Sequence, residues 1–61
     1  MNENFSLDES AELLGIERRH INWFVSRRLI DVYRIGGFTE PRITRIELEY
    51  FAIAFGFSIT F

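Results

Sequence analysis

Seven arginines, with no lysine among them, supply the most distinctive chemistry in this 61-residue chain. A guanidinium holds five N–H donors in a rigid planar fork that matches a phosphate or the O6/N7 edge of guanine, whereas an ammonium is only a point charge. All seven fall in the segment from Arg18 to Arg45 (Arg18, Arg19, Arg27, Arg28, Arg34, Arg42, Arg45), where Asp31 and Glu40 are the only acids, so that segment carries 7 − 2 = +5. Outside it stand Glu3, Asp8, Glu9, Glu12, Glu17, Glu47 and Glu49 with no cation, which is −7 and restores the net −2. This distribution predicts one basic face on an acidic body, able to attract a polyanion despite the net charge. Other chemistries lack material. There is no cysteine, and the single histidine, His20, has no companion metal ligands nearby. No serine has a base and an orienting acid beside it, and Gly36-Gly37 lacks the spacing and lysine of a phosphate loop. The residues therefore predict no catalytic site, no metal, no cofactor and no small-molecule substrate: a binding protein and not an enzyme.

The elements that must position the arginines follow from caps and periodicity. Ser6 and Glu9 have capping-box spacing, so a helix begins at Leu7. Leu7, Ala11 and Leu14 share one face, with Ser10 and Leu13 at its margin and Asp8, Glu9 and Glu12 opposite. Gly15 closes the helix and Ile16 points back inside. A second helix runs from Glu17 or Arg18 to Arg27. Its inward stripe is Ile21, Phe24 and Val25, which leaves Arg19, Asn22, Trp23, Ser26 and Arg27 on the outward side. Two helices joined by a glycine-containing turn of about three residues form a helix-turn-helix unit, with the second as recognition helix. On that helix Arg18, Arg19 and Arg27 are candidates for contact with DNA. Trp23, a large aromatic directed away from the core, either contacts DNA or a partner or folds back against the following hairpin.

Val32 to Ile35 and Phe38 to Ile43 flank Gly36-Gly37 and predict a short β-hairpin wing turned by a two-residue type I′ loop, with Pro41 near a sheet edge or the hairpin end. Thr44 and Glu47 repeat the capping-box spacing and open a third helix, Arg45 to Phe55, closed by Gly56. Leu48, Phe51, Ala52 and Phe55 form its inward face, while Ile46, Tyr50 and Ile53 form a second apolar stripe on the opposite side. Beyond Gly56 the tail alternates, with Phe57, Ile59 and Phe61 on one side and Ser58 and Thr60 on the other, the period of a strand. Such a strand pairs either with its own wing or with a second copy. The fold class is mainly α with a small β-hairpin: a single domain over residues 1–61, with its core in 5–55 and an apolar tail in 56–61.

The run FSLDESAELLGIERRHINWFVSRRLIDVYRIGG, followed by PRITRIELEYF, resembles the winged helix-turn-helix domains of the MerR and excisionase superfamily over roughly Phe5 to Phe51. The resemblance rests on the first helix ending in Leu14-Gly15-Ile16, the pair Arg18-Arg19, Ile21 with Phe24, Leu29-Ile30 before the wing, and Ile43-Thr44 before an acidic helix. It implies a second helix in the major groove, a wing on the flanking backbone or minor groove, and a bracing third helix. Arg18 and Arg19 match the polar residues that meet bases or phosphates, and Asn22 and Trp23 match an arginine-tyrosine pair whose tyrosine touches backbone. Arg34 matches a wing position that contacts phosphate. The chain departs from the pattern at Glu17, in place of a serine or threonine cap, at His20, in place of threonine, and at Arg28, in place of a glycine. A non-glycine in that closing conformation costs about 1 kcal/mol, unless the helix runs on a little further.

These readings predict sequence-specific binding of duplex DNA, as a small transcription regulator or an excisionase-like recombination directionality factor. The alternative is a protein-interaction module that keeps the helix-turn-helix shape and binds a regulator or replication protein. A domain this short buries only about 60% of the surface its unfolded chain exposes, and lacks cysteine for staples. Oligomerisation is the remaining support, so a homodimer is expected through Ile46, Tyr50, Ile53, Phe57, Ile59 and Phe61. The N-terminal residues show no signal-peptide pattern. The most apolar stretch, Tyr50 to Phe61, is shorter than the about 20 residues of a membrane span, so a cytoplasmic protein with no membrane association is predicted.

Overall fold

The computed structural model describes residues 3–61. Met1 and Asn2, part of the segment judged for a signal peptide, lie outside the described residues. The protein is small and mainly helical, in the order β1 (Asn4–Phe5), α1 (Leu7–Leu14), α2 (Arg18–Ser26), β2 (Ile43–Thr44) and α3 (Arg45–Phe55).

Helices α1 and α3 start where their caps dictate. The Ser6 hydroxyl accepts from the Glu9 N–H at 3.0 Å and the Glu9 carboxylate accepts from the Ser6 N–H at 2.8 Å, a complete capping box. That backbone bond from Ser6 is the main reason the Glu9 carboxyl titrates below its ordinary value. At α3 only half of the expected box forms. Thr44 accepts from the Glu47 N–H at 3.2 Å, while the Glu47 carboxylate takes the Tyr33 hydroxyl at 3.4 Å, and its charge pushes the Tyr33 phenol up. Glu17 precedes α2 without a side-chain cap, so this helix begins at Arg18 and ends one residue earlier than predicted, with Arg27 in the closing position.

Helix ends show the same logic. After α1, Gly15 takes φ +72° and the Ile16 N–H reaches back to the Ala11 carbonyl at 2.9 Å. After α2 the equivalent left-handed position is Arg28, at φ +57°, with the Leu29 N–H on the Phe24 carbonyl at 3.0 Å. Arg28 is the only non-glycine with positive φ among the described residues. The helix therefore does not run on past Arg28. It closes in the strained conformation, and the fold carries the strain.

Ile21, Ile43 and Leu48 are wholly buried and join Ala11, Leu14, Ile30, Phe51 and Ala52 in one core. Phe24 is partly buried at the centre of an aromatic cluster, edge-on to Phe51 with ring centroids 4.8 Å apart and near Phe55 and Phe57. The Ser10 side chain, fully buried at the margin of the α1 stripe, donates its hydroxyl to the Ser6 carbonyl at 2.7 Å, so no polar group is orphaned there.

The β-structure differs from expectation in three ways. The sheet pairs β1 with β2 antiparallel, Asn4 with Thr44 and Phe5 with Ile43, and so ties the N-terminal residues to the start of α3. The segment from Val32 to Arg42 forms no extended ladder. It holds one bridge, in which Tyr33 and Arg42 exchange both backbone bonds at 2.8 Å. Its glycine turn is closed by the Phe38 N–H on the Ile35 carbonyl at 3.1 Å, yet only Gly37 has positive φ, at +92°. A type I′ turn needs positive φ at both central residues; one at the second is the pattern of type II, whose twist splays the flanking strands. Register fails as well: two steps separate Tyr33 from Ile35, but four separate Phe38 from Arg42, and Pro41 in the longer arm has no N–H to offer. Third, the tail forms no strand. Phe57 and Ile59 pack partly buried against the core, and Phe61 stacks on Phe5 at 5.5 Å.

Candidate nucleic-acid interface

The outward side of α2 is built as its periodicity predicts. Ile21 faces inward with no exposure, Phe24 and Val25 lie partly buried beside it, and Arg19, Asn22, Trp23, Ser26 and Arg27 are all exposed. Trp23 remains 49% exposed, with its ring edge-on to Phe24 at 5.6 Å, and the Arg27 guanidinium lies over its indole at 4.8 Å. Trp23 therefore projects into solvent, joined to a cation by a contact worth about 0.5–1 kcal/mol at an exposed site. Ser26 is turned to its own helix, donating to the Trp23 carbonyl at 2.8 Å.

The arginines divide into two sets, a division the linear charge pattern does not show. The first set is paired with acids. Arg18 donates from Nη1 to Asp8 at 2.7 Å and from Nε to Asn22 Oδ1 at 3.0 Å. Arg19 meets Glu17 at 3.1 Å. Arg45 joins Glu3 and, at 3.0 Å, Glu49, and these two carboxylates raise its pKa, while its guanidinium covers the Phe61 ring at 4.3 Å. Arg42 is only 8% exposed, held by Asn4 Oδ1 at 2.7 Å, Glu40 at 3.4 Å and Glu9 at 3.6 Å, with Phe38 stacked at 3.9 Å. Arg42 and Arg45 thus tie the N-terminal strand and the 32–42 segment to the body. Four cations of the basic segment are drawn toward acids of the flanks, and the single basic face expected from the sequence breaks up accordingly.

The second set is Arg27, Arg28 and Arg34, none of which has a carboxylate within 4 Å among the described residues. Arg34 donates to the Thr39 carbonyl at 3.1 Å, which fixes it across the glycine turn without neutralising it. Arg27 and Arg28 sit at the C-terminal end of α2, and Arg34 lies in the 32–42 segment that follows. His20 is exposed on α2, and among the described residues no group of three or more His, Cys, Asp or Glu is placed to hold a metal ion.

A different surface lies on α3, where Ile46, Tyr50 and Ile53 are 60%, 68% and 80% exposed. Phe55, expected on the inward face, is half exposed at the helix end, although its ring lies 4.7 Å from that of Phe51. Of the tail residues expected at a dimer contact, Phe57 and Ile59 are committed to their own core, and Phe61 covers Phe5 and Arg45. Among the described residues no helix is long and apolar enough to cross a membrane. Against models of protein families, curated proteins and solved structures, the chain finds no match.

Proposed function

We propose that this chain is a sequence-specific duplex DNA-binding protein: a winged helix-turn-helix domain acting as a small transcription regulator or excisionase-like recombination directionality factor. In this reading α2 lies in the major groove and the residue 31–42 wing rests on flanking backbone. One observation carries the reading. The outward face of α2 presents Arg19, Asn22, Trp23 and Arg27 in solvent, and Arg27, with Arg28 and Arg34 beyond it, has no acid partner. Cations left unpaired in a chain of net negative charge contribute nothing to the fold by ion pairing, and they suit phosphate, where counterion release supplies the affinity. The test is a salt series of binding to a random 20-base-pair duplex. Log K should fall linearly with log salt with a slope of about −2.7 per bound copy, about −0.9 for each of three phosphate contacts. A salt-insensitive affinity, or none at low salt, would overturn the function in favour of the protein-interaction module.

The outer stripe of α3 favours self-association alongside DNA binding. Ile46, Tyr50 and Ile53 follow i, i+4, i+7 spacing, and the Glu49 beside them is already neutralised by Arg45, so a second copy meets little charge there. A two-fold pair would set two α2 helices on half-sites about one DNA turn apart. The proposed contact rests on this stripe and not on the tail, whose Phe57 and Ile59 pack on their own core.

A further inference from the structure

We propose that Arg18 is the base-reading residue of the interface and selects guanine, with Asp8 and Asn22 as the positioning residues that give it this role; the inference rests on the DNA-binding reading. Arg18 opens α2 and is braced from two sides. Its Nη1 donates to Asp8 of α1 at 2.7 Å and its Nε to Asn22 Oδ1, one helical turn on, at 3.0 Å. Exposed ion pairs of this kind contribute little to stability, about 0.2–1 kcal/mol, so the brace matters chiefly for where it holds the guanidinium. Of the five N–H groups, three remain free: both on Nη2 and one on Nη1. They lie in the plane of the guanidinium, and none has a partner among the described residues.

Two chemical consequences follow. First, Asp8 neutralises Arg18, and a phosphate brought to the same guanidinium would meet the carboxylate as well. Guanine offers two uncharged acceptors, O6 and N7, and provokes no such repulsion. Arg18 is thereby a poor phosphate anchor and a good base reader, the reverse of Arg27, Arg28 and Arg34. Second, because Nε can only donate, the atom of Asn22 facing it is the oxygen, and the amide shows its NH2 outward. An asparagine reads adenine by accepting from N6 and donating to N7 together. One lone pair of the Asn22 oxygen is taken by Arg18, which turns that oxygen toward the guanidinium, so the two side chains together present chiefly donors and favour acceptor-rich guanine over adenine.

The experiment is selection from a duplex pool with ten randomised base pairs, followed by a salt series on the selected duplex. The unaltered chain should enrich guanine at one position per bound copy, and replacing that base by 7-deazaguanine should weaken binding about tenfold. Arg18→Ala and Arg18→Lys should lose the enrichment and the 7-deaza effect while keeping the salt slope. Asp8→Asn should blur the enrichment and steepen the slope by about 0.9, because Arg18 then becomes free for phosphate. Circular dichroism of each variant verifies that it is folded. Enrichment unchanged in Arg18→Ala, or a slope reduced by about 0.9 with the enrichment intact, would overturn the assignment and make Arg18 a phosphate contact. Failure of the unaltered chain to bind any duplex at low salt would overturn the underlying function instead, and this inference with it.

Discussion

Helices α2 and α3 solve the same packing problem and differ in what they leave outside. Each sends a narrow stripe into one shared core, Ile21 with Phe24 and Val25 from α2, Leu48 with Phe51 and Ala52 from α3. The outer face of α2 is polar and cationic, with one aromatic under a guanidinium. The outer face of α3 is two isoleucines and a tyrosine, all more than half exposed. The core accounts for the inner faces alone. Water tolerates the α2 face and penalises the α3 face, so the first suits an ionic, salt-sensitive partner and the second an apolar, salt-tolerant one.

The largest effect separates inner from outer residues. Phe24→Ala should destabilise the domain by about 3 kcal/mol, the lower end of the range for such changes because Phe24 is only partly buried, and it should unfold much of so small a protein. Tyr50→Ala should shift stability by no more than about 0.5 kcal/mol. Urea titrations of both check this, and a stable Phe24→Ala protein would mean the phase of α2 is wrong. Next, Ile53→Glu should abolish self-association in sedimentation equilibrium and leave the monomer folded. A truncation after Gly56 should instead lose core contacts from Phe57 and Ile59 and fall in stability. If the unaltered chain is monomeric at tens of micromolar, the apolar face has some other partner.

Smaller effects probe the helix ends. Arg28→Gly should stabilise the fold by about 0.5–1 kcal/mol, since the left-handed conformation at φ +57° is strained for any residue with a Cβ. The same change should weaken duplex binding through loss of an unpaired cation, so stability and affinity should move in opposite directions. The smallest effect is one of pH. The Glu9 carboxyl is lowered on folding, mainly by the Ser6 N–H, so its contribution is fully present above its ordinary value of 4.5 and is lost as pH falls through the lowered folded value. Glu9→Gln keeps a capping-box acceptor and removes this titration. Its melting temperature should therefore fall less below pH 4.5 than that of the unaltered chain.

What could be read from the chain and what could not differ in the range of the interactions involved. Ser6 with Glu9, Thr44, Gly15 and Gly56 act within one helical turn, and the positions of α1 and α3 follow from them, while that of α2 follows from its Ile21, Phe24 and Val25 stripe. The left-handed position at Arg28 was suggested by the family resemblance alone, since nothing in the arginine itself marks it. Pairing of Asn4-Phe5 with Ile43-Thr44 was not legible, because a two-residue strand has no periodicity to display. The tail shows the opposite failure. Its alternation fits a strand, but Phe57 gains more by packing against Phe51, 5.6 Å away, than by seeking an edge. At the candidate interface the exposed α2 face was legible from its 100° steps. The sorting of arginines into paired and unpaired was not, since Arg18 meets Asp8 ten residues back and Arg45 meets Glu3 across the whole domain.

The central claim is that the α2 face, and not the α3 face, meets DNA. Nitrogen-15 shift mapping during titration with a 20-base-pair duplex tests it most directly, helped by the single tryptophan, whose indole N–H gives one isolated signal. The account predicts that the Trp23 indole and the amides of Arg19, Arg27, Arg28 and Arg34 shift on adding duplex and return when salt is raised, while those of Ile46, Tyr50 and Ile53 stay in place. A Trp23 signal indifferent to DNA, or shifts concentrated on Ile46, Tyr50 and Ile53, would contradict it.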